Sequence, residues 1–249
     1  MEKVLYKRPS GIFLNKNHYC PGCSHGVIHR IIAEVLEEMD QLENSIFMTP
    51  VGCAVLAYNY LDIDTIQCAH GRPPATATGI KRVRPNQLVF TYQGDGDLAS
   101  IGMAEIVHAA ARSENITVIF INNGIYGMTG GQMAPTTLPG MRATTAQAGR
   151  DVKVAGYPIR VSEMLATLDG SRYIERVAAN GPMNLAQVKK AIRKAFDLQM
   201  KGVGFTMVEV LCTCPTNWGL PPLDAIKFLE EKMIPYYPLG VYKDVDGEV

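Results

Sequence analysis

Short runs of β-branched and aromatic residues alternate along the chain with longer stretches whose apolar residues recur every three or four positions. The runs SIFMT (45–49), DTIQCA (64–69), QLVFTYQ (87–93), ITVIFIN (116–122) and FTMVEVL (205–211) have the length and composition of buried strands. Residues 24–39 carry Val27, Ile28, Ile31, Ile32, Val35 and Leu36 on one helical face, Glu34, Glu37 and Glu38 off it, and Ser24 in the N-cap position. Residues 98–112 and 185–200 fit the same template, the second with a basic face of Lys189, Lys190, Arg193 and Lys194, read as solvated surface. Strands alternating with crossover helices predict an α/β fold with a mostly parallel sheet covered on both faces. Residues 1–249 read as one such domain, with an N-terminal arm (1–23) and a C-terminal tail (212–249). The Gly- and Thr-rich segment 124–149 is too long for an ordinary connection and reads as a functional loop. The tail carries Pro215, Pro221, Pro222, Pro235 and Pro238 and is expected to be irregular apart from a short helix near 223–231.

Charge narrows the partners. The 24 basic and 24 acidic side chains cancel without forming blocks, so no nucleic-acid footprint is present. The opening MEKVLYKRPSGIFLNKN lacks the apolar core of a secretory signal, and no window is apolar enough to span a membrane. The expectation is a soluble, cytoplasmic protein, in which Asn115-Ile116-Thr117 is not a glycosylation site. Six cysteines are too sparse for a disulfide scaffold and point to metal or redox chemistry.

The turn Gly94-Asp95-Gly96-Asp97 follows the strand at 87–93 and precedes a helix, at the carboxyl edge of the sheet where open α/β folds bind ligands. Asn122 and Asn123 end the next strand, one crossover later, so they and Asp95 should project from the same edge. A carboxylate, an amide oxygen and a loop carbonyl are hard ligands suited to Mg²⁺ bound with a phosphate. Glycines let backbone N–H groups approach that phosphate, and the following helix offers its positive end.

With these residues the chain resembles the β subunit of 2-oxoacid:ferredoxin oxidoreductases, which bind thiamine diphosphate (TPP). CPGCSHG, VGC, AHGR, ATGIK, GDGDLASIG, NNGIYGMTGGQ, PTT and CPTNWG occur in the family's order, covering nearly the whole chain. The resemblance implies a TPP-binding fold in which Asp95, the Asn123 side chain and the Ile125 carbonyl hold Mg²⁺. It implies cofactor contacts at Val51, Gly52, Cys53 and Ala54, at His70, Gly71 and Arg72, and at Gly94, Gly96, Asp97, Gly127 and Met128. The loop 129–132 would close over the cofactor. One departure stands out: many relatives carry a basic residue three positions after the cysteine of VGC, where this chain has Leu56.

Cys20 and Cys23, in CPGC, could form a disulfide, a redox switch, half of a zinc site or half of an iron–sulfur site. A reducing compartment disfavours the first, and the arm lacks the strand that a thioredoxin-like switch needs. Zinc is the serious alternative, since His25 and His29 are four apart on one helical face, although the gap from Cys23 to His25 is shorter than in finger-type sites. A cluster needs four thiolates, and Cys53 and Cys214, both past strand ends, are the best further candidates. The resemblance makes the same selection for a [4Fe-4S] cluster: Cys20, Cys23, Cys53 and Cys214. Cys68 and Cys212 are assigned to packing. Cys23 precedes a helix N-terminus, which favours thiolate. His25 is placed near the cluster, His18, His29 and His108 read as structural or surface residues, and Glu105 as solvated.

The implied activity is CoA-dependent oxidative decarboxylation of a 2-oxoacid to acyl-CoA and CO₂, with electrons passed to ferredoxin. By resemblance the 2-oxoacid would be 2-oxoisovalerate or 2-oxoglutarate, then pyruvate. No glutamate here is a convincing acid for the aminopyrimidine, and the paired CxxCxxCxxxCP runs of electron-carrying subunits are missing. An α subunit, with γ and ferredoxin-like δ subunits, is therefore expected. The rivals are a non-oxidative TPP-dependent decarboxylase or carboligase subunit, and a non-catalytic α/β module with structural zinc.

Overall fold

The structure, a computed structural model, describes residues 7–245, so the extreme ends of the expected arm and tail lie outside the described residues. Seven strands form one sheet in the order β2-β1-β3-β4-β8-β7-β9. They are β1 (Ser45–Thr49), β2 (Asp64–Gln67), β3 (Leu88–Gly94), β4 (Thr117–Asn122), β7 (Ser171–Ala178), β8 (Phe205–Leu211) and β9 (Gly240–Asp244). All neighbours pair in parallel except β9, which runs antiparallel to β7. A two-residue hairpin, β5 (Ile125–Tyr126) with β6 (Gln132–Met133), rises from the carboxyl edge.

The helices are α1 (His25–Glu38), α2 (Pro73–Val83), α3 (Met103–Ala111), α4 (Val152–Ala155), α5 (Val161–Ala166), α6 (Pro182–Met200), α7 (Pro215–Trp218), α8 (Pro222–Phe228) and α9 (Ile234–Tyr236). They cover both faces, as the near-continuous burial of β1, β3, β4 and β8 requires. On one face Ile28, Ile32, Leu36 and Phe196 pack against Phe47, Phe90 and Tyr92. On the other, Ala77, Ile106 and Leu165 pack against Met48, Val89, Val118 and Phe120. Leu88, Phe90 and Tyr92 face one way and Val89 the other, the two-residue period of a strand buried on both sides.

The tail corrects an expectation. It is not irregular: α7, α8, a π-helical turn at Leu229–Met233 and α9 form a third apolar cluster with Leu138, Met141 and Leu211, and β9 completes the sheet edge. Ser24 also corrects one. It sits before α1 in helical dihedrals with no capping bond, and its hydroxyl instead pairs with Thr213 Oγ1 at 2.9 Å and accepts from the Thr213 N–H at 3.2 Å. That pairing, with Thr213 Oγ1 donating to the Gly22 carbonyl at 2.6 Å, ties the N-terminal arm to the end of β8. Among the described residues no helix is long and apolar enough to cross a membrane.

Candidate functional site

Strands β1, β3, β4 and β8 deliver their carboxyl ends to one edge, and there a cavity of about 310 Å³ opens, within the range for small-molecule sites. Val51, Gly52, Cys53 and Ala54, after β1, form one wall. Gly94, at the end of β3, and Asp95, Gly96 and Asp97 after it form another, and Asn123, Ile125, Gly127 and Met128, after β4, face them. His70 also lines the cavity, whereas Gly71 and Arg72 do not: Arg72 turns away to an ion pair with Glu105. That pair corrects the reading of Glu105 as solvated, since its side chain is only 14% exposed. None of the lining residues is Lys or Arg.

Asp95 and Asn123 converge. The Ile125 N–H donates to Asp95 Oδ2 and to Asn123 Oδ1, each at 3.1 Å. Thr136 Oγ1 and the Gly96 N–H also donate to the carboxylate, at 2.9 and 3.0 Å. Burial nonetheless pushes the Asp95 carboxyl up to about 7, outweighing these donors. A buried acid beside an amide oxygen fits a hard divalent cation.

Asp97 is satisfied instead by protein. Its Oδ1 accepts from His70 Nδ1 at 2.6 Å, the Gly71 N–H at 2.9 Å and the Val51 N–H at 3.1 Å, and its Oδ2 from Gln93 Nε2 at 2.7 Å. One buried carboxylate thus braces the ends of β1, β2 and β3 around the cavity. Gly96 allows a close approach, since a Cβ there would fall 2.6 Å from the Tyr126 ring. Gly71, at φ +77°, lets its backbone meet Gly102, where a Cβ would fall 2.7 Å from the amide nitrogen.

Beside the cavity Cys53 and Cys214 come together, and the thiols of Cys20 and Cys23 act on them electrostatically. Cys53 Sγ and Cys214 Sγ lie 3.2 and 3.6 Å from the point a Cβ on Gly127 would occupy. Cys23 N–H closes a turn onto the Cys20 carbonyl at 3.0 Å, and the Ser24–Thr213 bonds carry that turn to Cys214. Asn217 Nδ2 donates to Cys214 Sγ and to the Gly127 carbonyl, and Tyr19 Oη to the Cys53 carbonyl. Burial, then the Cys214, Cys53 and Cys20 thiols, push Cys23 up to about 12, despite a lowering bond from His25. Burial and then Cys214, Cys20 and Asp95 push Cys53 up to about 11. The helix end therefore does not make Cys23 a thiolate. A cationic centre among the thiols would be needed, and four thiols that influence one another electrostatically are the number a four-iron cluster would take.

A single-ion zinc site does not fit. Among the described residues no three His, Cys, Asp or Glu donors converge on one ion. His25 Nδ1 bonds Tyr92 Oη at 2.6 Å, and His29 is buried with neither ring nitrogen paired. Cys68 and Cys212 are buried, Cys212 with its N–H on the Asn122 carbonyl.

Ser100, Ile101, Ile121 and Tyr126, which no motif marked, also line the cavity, together with His25 and with Thr129 of the 129–132 loop. Arg150, 6% exposed, donates to the carbonyls of Ala134, Pro135, Thr137, Ala155, Gly156 and Tyr157 and so holds the long loop in shape. No short motif marks Arg150, since all its partners are backbone.

Residues 50–210 match the family model described as thiamine pyrophosphate enzyme, C-terminal TPP binding domain. The ketoisovalerate oxidoreductase subunit VorA of Methanothermobacter marburgensis is 45% identical over 98% of this chain and 51% of its own length. The chain thus spans about half the length of that relative. The 2-oxoglutarate synthase subunit KorB of Methanocaldococcus jannaschii is 38% identical over 92% of this chain and 82% of its own. A solved 2-oxoglutarate:ferredoxin oxidoreductase from Magnetococcus marinus, with 2-oxoglutarate, coenzyme A and succinyl-CoA bound, matches with a TM-score of 0.82 at 25% identity, over 98% of this chain and 87% of that one. With its parallel sheet, its cavity at the Gly94–Asp97 turn and these relatives, the chain belongs to the thiamine pyrophosphate enzymes, among the subunits of 2-oxoacid:ferredoxin oxidoreductases.

Proposed function

We propose that this chain is the TPP-binding β subunit of a 2-oxoacid:ferredoxin oxidoreductase, catalysing CoA-dependent oxidative decarboxylation of a 2-oxoacid to acyl-CoA and CO₂. One observation carries the reading: Cys53 both lines the cofactor cavity and belongs, with Cys214, to the thiol group beside it. When bound, TPP supplies the electron sink for decarboxylation and a [4Fe-4S] cluster supplies one-electron acceptance.

The chain's own residues have defined tasks in this proposal. Asp95, Asn123 and the Ile125 carbonyl hold Mg²⁺. The backbone around Gly94, Gly96 and Gly127 would approach the diphosphate, and with no Lys or Arg in the cavity wall Mg²⁺ would supply the counter-charge. Cys20, Cys23, Cys53 and Cys214 hold the cluster. Met128 and Ile101, 46% and 50% exposed at the cavity, remain available to an α subunit that brings the missing acid. The γ and δ subunits and ferredoxin complete the proposed cytoplasmic complex. The 45% identity to a ketoisovalerate oxidoreductase subunit favours 2-oxoisovalerate over 2-oxoglutarate and pyruvate.

The test is anaerobic purification of the assembled complex, with iron, sulfide, zinc and TPP assays and turnover of the three 2-oxoacids with CoA and a low-potential dye. Iron and sulfide at this chain with CoA-dependent dye reduction are expected. Zinc without iron, or CO₂ release without dye reduction, would sink the proposal.

A further inference from the structure

A charged pair interrupts the apolar interior of the sheet. Arg176 on β7 and Glu209 on β8 are register partners in the parallel ladder, and both side chains are fully buried. Their contact, Arg176 Nε to Glu209 Oε2, is 2.8 Å. Such a pair is costly to desolvate, and well-packed apolar residues often serve stability as well or better. Its partners show a directed arrangement. Ser162 Oγ donates to Glu209 Oε2, while Glu209 Oε1 accepts from Asn122 Nδ2 at 2.7 Å. Asn122 in turn accepts the Gly124 N–H on its Oδ1 at 3.2 Å, and its carbonyl accepts the Cys212 N–H.

The chain of contacts ends at the turn that carries Asn123 and Ile125. Asn122 is fully buried at the last position of β4. An amide there can rotate by half a turn, and only with its NH₂ toward Glu209 does its oxygen face the Gly124 N–H. The Glu209 carboxylate accepts hydrogen bonds and donates none, so it selects that orientation.

We propose that Glu209 is a positioning residue for the cation site: through Asn122 it fixes the 122–125 turn that presents the Asn123 amide and the Ile125 carbonyl. Arg176 and Ser162 hold the Glu209 carboxylate still from behind. This inference rests on the Mg²⁺–TPP reading of the cavity. It extends that reading to a residue that touches neither group.

The experiment measures TPP retained by the assembled complex after desalting into graded MgCl₂, quantified as thiochrome, alongside melting of each preparation. Wild type should show Mg²⁺-dependent retention; its absence would overturn both the site reading and this inference. Glu209→Gln can present an NH₂ to Asn122, and should raise the Mg²⁺ concentration for half retention about ten-fold. Asn122→Ala should do the same, and the double variant should add little, since the two act in series. A second variant separates positioning from folding. Glu163→Gln weakens the ion pair on the side of Arg176 away from Asn122, so it should lower the melting midpoint yet leave the Mg²⁺ requirement unchanged. Mg²⁺-dependent wild-type retention with an unchanged half-point in Glu209→Gln, or a half-point raised as far by Glu163→Gln, would overturn the assignment of Glu209 alone, as would full additivity with Asn122→Ala.

Discussion

The indole Nε1–H of Trp218 donates to the Asn123 carbonyl at 3.1 Å, so a residue of the tail grips the turn that faces the cavity. Trp218 also packs on Phe228, ring centroids 5.0 Å apart, and is the single tryptophan of the chain. Binding of Mg²⁺ and TPP at Asn123 should therefore alter its emission. We expect the difference spectrum between wild-type and Trp218→Phe complexes to change saturably as Mg²⁺ is added with TPP, and Asp95→Ala to abolish the change. A constant difference spectrum in a preparation that takes up TPP would count against the Asn123 assignment.

Cysteine substitutions separate ligands from packing. Cys53→Ser and Cys214→Ser should each remove most of the iron and sulfide from this subunit, since a cluster of this kind takes four thiolates. Cys68→Ser and Cys212→Ala should retain both. Cys212 is the sharper control, because burial and then Cys23, Cys214 and Cys53 raise its pKa, placing it near the same group. Full iron in Cys214→Ser, or its loss in Cys212→Ala, would redraw the ligand set.

Sheet and site were legible to different degrees. The strands ending at Thr49, Gly94, Asn122 and Leu211 are apolar runs, and the turn chemistry after them places Asp95 beside Asn123. β7 escaped because Glu175 and Arg176 break its apolar run, and Arg176 is buried against Glu163, Glu209 and Tyr242, partners far from it in sequence. α2 escaped because it opens on Pro73-Pro74, which suits a first helical turn but reads as a break. β9 pairs along only part of its length, at an exposed edge. Within the site, the meeting of Asp95 and Asn123 could be read from sequence, but the bracing roles of Asp97, Arg150 and Ser24 could not. Their partners are backbone groups or distant residues, which leave no spacing to detect.

His29 predicts an acid limb in stability. It is 1% exposed, ringed by Tyr19, His25, Tyr60 and Tyr92, and neither ring nitrogen is paired. Burial, then His25, holds its pKa well below the usual 6.5, and burial pushes His25 down to about 4. The unfolded chain binds these protons first, so the contribution of neutral burial is fully present above pH 6.5 and is lost as pH falls toward the folded values. Each group can add a slope of at most about 1.4 kcal/mol per pH unit. In urea melts of the full chain, we expect the midpoint to fall from pH 7 to pH 5. His29→Phe should leave stability at pH 7 unchanged or higher and flatten part of that fall, with His25 supplying the remainder. An acid limb as steep in His29→Phe as in wild type would show that His29 does not carry it.

Tyr237 links the tail to Asp95 through one residue. Its hydroxyl, fully buried, donates to the Thr136 carbonyl at 2.8 Å, and Thr136 Oγ1 donates to Asp95 Oδ2 at 2.9 Å. The two bonds act on opposite sides of Thr136, so substitutions should separate anchoring from direct contact. Tyr237→Phe leaves a buried carbonyl unpaired and should cost about 1–3 kcal/mol of stability, with a modest loss of TPP retention through the loosened loop. Thr136→Val keeps the shape of the side chain but removes a donor to the carboxylate. It should shift cofactor retention more than Tyr237→Phe does, because the lost bond is to the proposed metal ligand itself. Paired urea midpoints and thiochrome half-points on the two variants give the comparison. A larger retention defect in Tyr237→Phe than in Thr136→Val would mean that the tail acts on the cavity by some route other than Thr136.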